Sequence, residues 1–221
     1  MAEARIPRIM EPAPDFDAKS THGQIRLSDY TSKGKWVMLF SHPSDFTPVC
    51  STEFIEFARR HEEFDALNVQ LIGVSIDSVP AHIAWIRDLE QISGVKIKFP
   101  LIADLDQKVS QAYGLVHEAV SDTATVRAVF AVDPKGNIRA LLYYPQQLGR
   151  SVDELLRIFQ ALRTVDENGV SCPVDWVPGQ QVVVASPATM DDAAKRVDGS
   201  STGLEVKSWY LSKRDLAIPA K

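Results

Sequence analysis

The sequence has few cysteines and no long apolar run. Its 221 residues include two cysteines, too few for the disulfide framework of a small secreted protein. No apolar segment approaches the ~20 residues that span a bilayer. Residues 1–16 carry charges and prolines where a signal peptide needs an apolar core. We therefore expect a cytoplasmic protein with no membrane partner.

The chain also lacks a basic surface charge. It has 24 lysines and arginines against 29 acidic residues, a formal net charge of −5, which argues against nucleic acid as a partner. Its 45% hydrophobic and 24% charged content excludes a disordered chain or a coiled coil. The length allows one domain with a sizeable extension, or two small domains.

Several motifs that bind cofactors are missing. There is no phosphate loop, no dinucleotide fingerprint and no Gly-x-Ser-x-Gly elbow. The five histidines never stand four apart or beside a cysteine at ligand spacing, so we expect no metal and no organic cofactor. The residue three beyond Cys50 is Glu53, so the Cys-x-x-Cys motif of dithiol exchange enzymes is absent.

The hydrophobic pattern predicts an α/β fold with the order β-α-β-α-β-α-β-β-α. The predicted strands are short apolar runs bounded by polar or turn residues: 35–40, 69–76, 99–103, 126–132 and 137–144. The last two flank Asp133-Pro134-Lys135-Gly136 and so predict a β-hairpin. We expect a mixed sheet covered by helices, because a hairpin adds an antiparallel edge to a parallel sheet.

Two smaller features complete the fold prediction. Residues 14–30 suit a small hairpin around His22-Gly23. The spacing of Phe54, Phe57, His61 and Phe64 predicts one apolar helical face, on which His61 is a core histidine rather than a ligand.

The composition of the sequence changes near Cys172: prolines become frequent, and long runs with a regular hydrophobic period end. We therefore expect a main domain over residues 1–170 and an extension over 171–221 that packs on it or on a partner subunit.

Cys50 is the first candidate for chemistry. It follows Thr47 and Pro48, which mark a helix start, and the free N–H groups and partial positive charge there favour a thiolate. A buried, inert cysteine is the alternative, and spacing alone leaves both open. Arg127 and Arg150 are, taken singly, surface or salt-bridged arginines. Together with a thiolate they could supply fixed positive charge to a site.

Residues 43–50, PSDFTPVC, match Pro-x-x-x-Thr-x-x-Cys, the active-site signature of the peroxiredoxins. The longer string SHPSDFTPVCSTEF resembles the one-cysteine subgroup, and the similarity extends over most of the chain. It implies a thioredoxin-like fold with a C-terminal extension. It also implies an antioxidant enzyme that reduces hydrogen peroxide and organic hydroperoxides with thiol reductants and no cofactor.

The resemblance assigns roles to the signature residues. Cys50 would be the peroxidatic cysteine, which becomes a sulfenic acid and needs a thiol to return. Arg127 matches the family's catalytic, substrate-binding arginine. Thr47 can offer its hydroxyl to the peroxide, and Pro43 would shield the sulfur from water.

His42 and Glu53 match positions that line or support the site in the subgroup. Glu53 would act through Arg150, which makes Arg150 a third supporting residue.

Cys172 departs from the one-cysteine pattern. Residues 170–179, VSCPVDWVPG, resemble the segment around the resolving cysteine of two-cysteine peroxiredoxins. The resemblance implies that Cys172 of a partner subunit forms a disulfide with Cys50, which a thioredoxin-like donor then reduces. The alternative is that Cys172 is a spare thiol and that an external thiol resolves Cys50.

The assembly implied is a homodimer, often built into a decamer in this family. The reductant would be a thioredoxin-like protein or a small thiol. Two rivals from other classes are a thiol-redox sensor or chaperone, which peroxide switches without turnover, and a purely structural thioredoxin-fold module.

Overall fold

A computed structural model describes residues 5–199 and 202–216. By internal packing the chain divides into two compact units, one ending at Val152 and one starting at Asp153. The first unit contains seven strands and five helices within its described residues. They are β1 Asp17–Ser20, β2 Gly23–Arg26, α1 Ser28–Thr31, β3 Trp36–Ser41, α2 Pro48–Arg59, α3 His61–Ala66, β4 Val69–Ser75, α4 Val79–Ser93, β5 Leu101–Ala103, α5 Lys108–Ala112, β6 Arg127–Val132 and β7 Ile138–Tyr144.

The seven strands form one mixed sheet in the order β2-β1-β5-β4-β3-β6-β7. Strand β4 runs parallel to both β3 and β5, whereas β6 is antiparallel to β3 and to β7. Every residue of β3 and β6 is buried, which explains why these strands read as unbroken apolar runs. The predicted mixed α/β sheet and both predicted hairpins are confirmed.

The helical face that begins at Phe54 is divided between two helices. Arg60 leaves helical geometry, with φ −100° and ψ 14°, and separates α2 from α3. Phe54, Phe57 and Phe64 are nevertheless fully buried, so the apolar face continues across the break. The single helix suggested by the spacing is therefore wrong. The periodicity identifies the buried side chains but not the turn between them.

His61 is buried on this face, as expected. Its Nε2 lies 3.2 Å from Asp65 Oδ2. Its Nδ1 has no hydrogen-bond partner within residues 5–199 and 202–216, so only one of the two ring nitrogens has a partner there.

The second unit begins with α6 Val152–Asn168, and all residues of this helix except Val152 belong to that unit. It continues with β8 Val182–Val183, α7 Met190–Val197, β9 Glu205–Val206 and β10 Ser212–Arg214. The three strands pair in the order β8-β10-β9 beside a small core of Val170, Trp176 and Val182. The division between residues 170 and 171 stays a prediction, and the ends of the predicted ranges, residues 1–4 and 217–221, lie outside the described residues. Within the described part of the chain, no helix has the length and apolarity to cross a bilayer.

Gly73 in the middle of β4 shows how tightly the sheet packs on α2. A Cβ at this position would lie 2.5 Å from Leu101 Cδ1 and 3.3 Å from Phe54 Cζ, both in fully buried side chains. We expect Gly73→Ala to lower the free energy of unfolding by about 1–3 kcal/mol, the usual cost of an extra methyl in a full core. Urea denaturation measures the loss.

The matched double variant Gly73→Ala/Leu101→Val removes the methyl that the new Cβ would strike. It should recover part of the lost stability. A Gly73→Ala protein that unfolds at the wild-type urea concentration would contradict this account of the packing.

Candidate active site

Cys50 is the third residue of α2 and is completely buried. Thr47 precedes the helix with extended geometry, φ −110° and ψ 146°, and Pro48 fits the first turn because that turn needs no N–H donor there. The sulfur therefore sits at the positive end of a helix of 12 residues. That placement stabilises negative charge on Sγ.

Arg127, the first residue of β6, reaches the sulfur directly. Its Nη1 donates to Cys50 Sγ at 3.2 Å and to Glu53 Oε2 at 2.9 Å. Its Nε and Nη2 donate to the carbonyl of Gln146 at 3.0 and 2.9 Å. The guanidinium is thus held on both sides, and its side chain is only 2% exposed. The two residues singled out at positions 50 and 127 meet in one site.

Glu53 lies one turn after Cys50 and binds a second arginine. The backbone N–H and Nε of Arg150 both donate to Glu53 Oε1 at 2.8 Å, and Arg150 Nη2 donates to Oε2 at 2.6 Å. One carboxylate therefore faces two guanidinium groups. The remaining positive charge is buried beside the Cys50 sulfur, where a low dielectric strengthens its attraction for a thiolate.

The ionised state of Glu53 is a balance of two effects. Burial alone would raise the pKa of this carboxyl, but the charges and hydrogen bonds of Arg150, with the charge of Arg127, outweigh burial and hold the pKa below its usual range. Glu53 therefore stays charged at neutral pH and keeps both arginines in place.

A pocket of about 370 Å³ opens over Arg127. Pro43 and Thr47 line it, together with Pro48, Val49, Gln146 and Gln147. The Thr47 hydroxyl donates to the carbonyl of Ser44 at 3.0 Å. Its oxygen therefore remains available as an acceptor.

His42 belongs to a buried network that the sequence did not reveal. Its Nε2 lies 3.0 Å from Asp45 Oδ1, and Asp45 Oδ2 lies 2.7 Å from His82 Nδ1. His82 comes from α4 and also contacts the carbonyl of Ile102 in β5, at 3.1 Å. Asp45 lies inside the 43–50 signature. His82 begins the string HIAW at residues 82–85, where the resemblance to the one-cysteine subgroup continues. Neither signal indicated that the two residues would pair.

Cys172 lies in the second unit and is partly exposed. Its sulfur contacts the carbonyl of Ala161 at 3.7 Å. Burial raises the pKa of this thiol, and the charge of Arg157 offsets that only in part. A raised pKa lowers the fraction of the nucleophilic thiolate at neutral pH.

The fold and this site define a class, that of thiol enzymes built on a thioredoxin-like sheet. The family model described as AhpC/TSA matches residues 9–141, and the model of the C-terminal domain of 1-Cys peroxiredoxin matches residues 161–200. The chain therefore belongs to the peroxiredoxin family, and it is a thiol-dependent peroxidase.

Curated relatives support this assignment along the whole length. A peroxiredoxin of Aquifex aeolicus is 46% identical over 224 aligned positions, covering 97% of this chain and 99% of the relative. A peroxiredoxin of Thermotoga maritima is 48% identical, covering 95% and 97%.

Solved structures agree with the fold. A yeast mitochondrial 1-Cys peroxiredoxin is 38% identical with a TM-score of 0.84, covering 96% of this chain and 100% of that one. A mutant of the peroxiredoxin 6 of Arenicola marina is 30% identical with a TM-score of 0.83, covering 94% and 97%. A reduced 2-Cys peroxiredoxin of Plasmodium vivax has 32% identity and a TM-score of 0.73, and it covers 79% of this chain and 92% of that one.

Replacing Glu53 with glutamine should destabilise the protein in a pH-dependent way. The amide leaves two buried arginines without a charged partner, so we expect a loss of about 3 kcal/mol at pH 7. Because the folded state depresses the pKa of Glu53 below the ordinary 4.5, its contribution is complete above that pH. The difference between wild type and Glu53→Gln should shrink as the pH falls below about 4.5, measured by denaturant unfolding at several pH values.

Glu56→Gln is the matched control on the same helix. The Glu56 side chain is 43% exposed and meets Arg59 at 3.5 Å, so its loss should cost no more than about 0.5 kcal/mol. Equal losses of unfolding free energy in the two variants would show that the contact of Glu53 with two arginines stabilises the protein no more than a surface ion pair.

Proposed function

We propose that Cys50 is the peroxidatic cysteine of this enzyme. The thiolate Sγ attacks the terminal oxygen of the hydroperoxide, the S–O bond forms, and the O–O bond breaks. The products are a Cys50 sulfenic acid and an alkoxide or hydroxide, which takes a proton from water. The observation that carries this proposal is the 3.2 Å contact between Arg127 and a cysteine at a helix start.

Arg127 would act on both the sulfur and the peroxide. Negative charge starts on Sγ and ends on the departing oxygen, so a fixed guanidinium beside this path stabilises the transition state more than the ground state. Glu53 and Arg150 keep the guanidinium in place. Thr47, Pro43 and Val49 line the pocket, and its apolar walls suit organic hydroperoxides as well as hydrogen peroxide.

Arg127→Ala should lower the second-order rate constant for peroxide by about a hundredfold, the scale for losing one donor to developing charge. Stopped-flow fluorescence or competition kinetics measures that rate. Arg139→Ala is the matched control. Arg139 lies on β7 and meets Asp133, at the end of the β6–β7 hairpin away from Arg127, and its variant should react like wild type. Equal rates for the two variants would remove Arg127 from the mechanism.

For the second half of the cycle we propose that Cys172 of a partner subunit attacks the Cys50 sulfenic acid. It is the only other cysteine of the sequence, and it is partly exposed. Since Cys50 is completely buried, the first turn of α2 must open before its sulfur can meet any thiol. A thioredoxin-like donor would then reduce the disulfide.

A second route, in which an external thiol resolves Cys50, has its own support. Residues 161–200 match the C-terminal domain of 1-Cys peroxiredoxin, and the similar yeast enzyme resolves its thiol via glutathione and thioredoxin systems. The raised pKa of Cys172 also makes it a slow nucleophile at neutral pH. In this route an external thiol resolves Cys50 and Cys172 is a bystander.

A gel distinguishes the two routes. Under the Cys172 route, peroxide-treated protein runs as a dimer without reductant, and both Cys50→Ser and Cys172→Ser abolish that dimer. Cys172→Ser should still consume one equivalent of peroxide and then overoxidise to sulfinic acid. If oxidised wild type stays monomeric with Cys172 free to alkylation, the external-thiol route replaces the first. Single turnover with excess reductant would instead indicate a sensor.

We also propose that the enzyme works as a homodimer and assembles into decamers. The second unit carries a groove of about 620 Å³ lined by Pro187, Met190, Val197 and Trp209, and an exposed apolar surface of this kind is typical of an interface. Light scattering coupled to size exclusion gives the assembly directly. Two free cysteines suit a reducing compartment such as the cytoplasm.

A further inference from the structure

We infer that His82 is a positioning residue. It acts as a buried imidazolium that is paired with the Asp45 carboxylate. This pair fixes the position of the loop that contains Thr47 and leads into α2. The inference about kinetics rests on the proposed role of Cys50, whereas the protonation state of His82 is independent of it.

Both ring nitrogens of His82 face acceptors. Nε2 lies 3.1 Å from the carbonyl of Ile102, which can only accept. Nδ1 lies 2.7 Å from Asp45 Oδ2, which also can only accept while the carboxylate is ionised. A neutral imidazole has one N–H and would leave one of these contacts as a repulsion between lone pairs. The arrangement therefore requires a proton on both nitrogens.

The rest of the network fits an ionised Asp45. Burial opposes ionisation, but hydrogen bonds from His42 and His82 outweigh it and keep the pKa of Asp45 below its usual range. Burial lowers the pKa of His42, so that ring is neutral and its Nε2 carries the proton donated to Asp45 Oδ1. Its Nδ1 has no hydrogen-bond partner among the residues described.

One more charged group faces this pair. Asp77 Oδ2 accepts from the backbone N–H of Asp45 at 3.0 Å and from the Ser75 hydroxyl at 2.7 Å. The ring of His42 lies 6.3 Å from that of His82. The cluster of His42, Asp45, Asp77 and His82 thus has two carboxylates and, with His82 protonated, one cation. A charge on His82 is favourable there because one ring nitrogen contacts the Asp45 carboxylate and the other contacts a carbonyl dipole.

The pair bears on catalysis through the backbone at Phe46. Phe46 has φ 54°, a left-handed geometry that bulky side chains rarely adopt. Such a conformation persists only where its surroundings impose it. Asp45, immediately before Phe46, is held from α4 through His82 and from the Asp77 carboxylate. Thr47, immediately after it, lines the pocket and begins α2, so the anchor on Asp45 determines where Thr47 and the helix start lie.

Two variants of His82 separate this role from simple packing. Asparagine places its amide nitrogen near the position of Nδ1 and keeps the contact with Asp45. Glutamine places it near Nε2 and keeps the contact with Ile102 instead. The two are similar in polarity and each retains one hydrogen bond, so each serves as the control of the other.

The rate constant of Cys50 with hydrogen peroxide is measured for both variants over pH 5–9, together with their urea stability. We expect His82→Gln to react about tenfold or more slower than His82→Asn at pH 7, since a small displacement of a reacting group has effects of this size. Equal rates in the two variants, or a slower His82→Asn, would overturn the positioning role.

Nitrogen-15 NMR of wild-type protein tests the imidazolium without any need for a folded variant. Both ring nitrogens of His82 should carry a directly bonded proton at pH 7, at shifts typical of the charged ring. One unprotonated nitrogen would overturn the inference. A Cys50 that never reacts with peroxide would refute the proposed function instead, and it would leave this NMR result unchanged.

Discussion

The Glu53 carboxylate, shared by Arg127 and Arg150, is the interaction on which the site depends. It joins α2 to β6 and to the loop before α6 through four hydrogen bonds of 2.6–2.9 Å, all of them buried. Arg150 extends the connection, because its Nη1 donates to the carbonyls of Ser41 and Ala128 at 3.0 Å. Three chain segments that are far apart in sequence are thereby fixed around one sulfur. The guanidinium of Arg150 also lies over the rings of Phe40 and Phe57, so the charged network continues directly into the core.

A buried network of this kind is not an efficient way to stabilise a fold. Taking three charges out of water costs several kcal/mol for each ion, and well-packed apolar side chains often do as well or better. What the network supplies is a fixed position for Arg127 and an excess of positive charge beside the Cys50 sulfur. The Asp45–His82 pair, with one carboxylate and the inferred imidazolium, follows the same logic. Each network holds a segment that lines the pocket: Arg127 in the first case and Thr47 in the second.

Much of this could be predicted from the sequence, and the limits have physical causes. Apolar runs identified β3, β4 and β6, because buried strands leave little choice of residue type. The half-buried β7 was identified with the help of the turn residues before it. The signature residues were found because Thr47 and Cys50 lie within one loop and helix start. Pairing Arg127 with Cys50 needed the family resemblance, since periodicity says nothing about residues 77 positions apart. Asp45 and His82 are 37 apart and were missed for the same reason. The break at Arg60 was missed because a turn between two helices can preserve an apolar face.

The first turn of α2 combines activation with ease of opening. Thr47 stands at the N-cap position, but its side chain does not cap α2 and donates to Ser44 instead. A capping bond is worth about 0.5–2 kcal/mol, so α2 gives up that stabilisation at the turn that contains Cys50. Thr47 also lines the pocket, where under the proposed mechanism its oxygen would accept from a peroxide. Under either proposed route of reduction, the same uncapped turn would have to open before a thiol could reach a Cys50 sulfenic acid. Under the proposed mechanism, Thr47 would therefore serve the oxidation step in the folded turn and lower the cost of opening it for the reduction step.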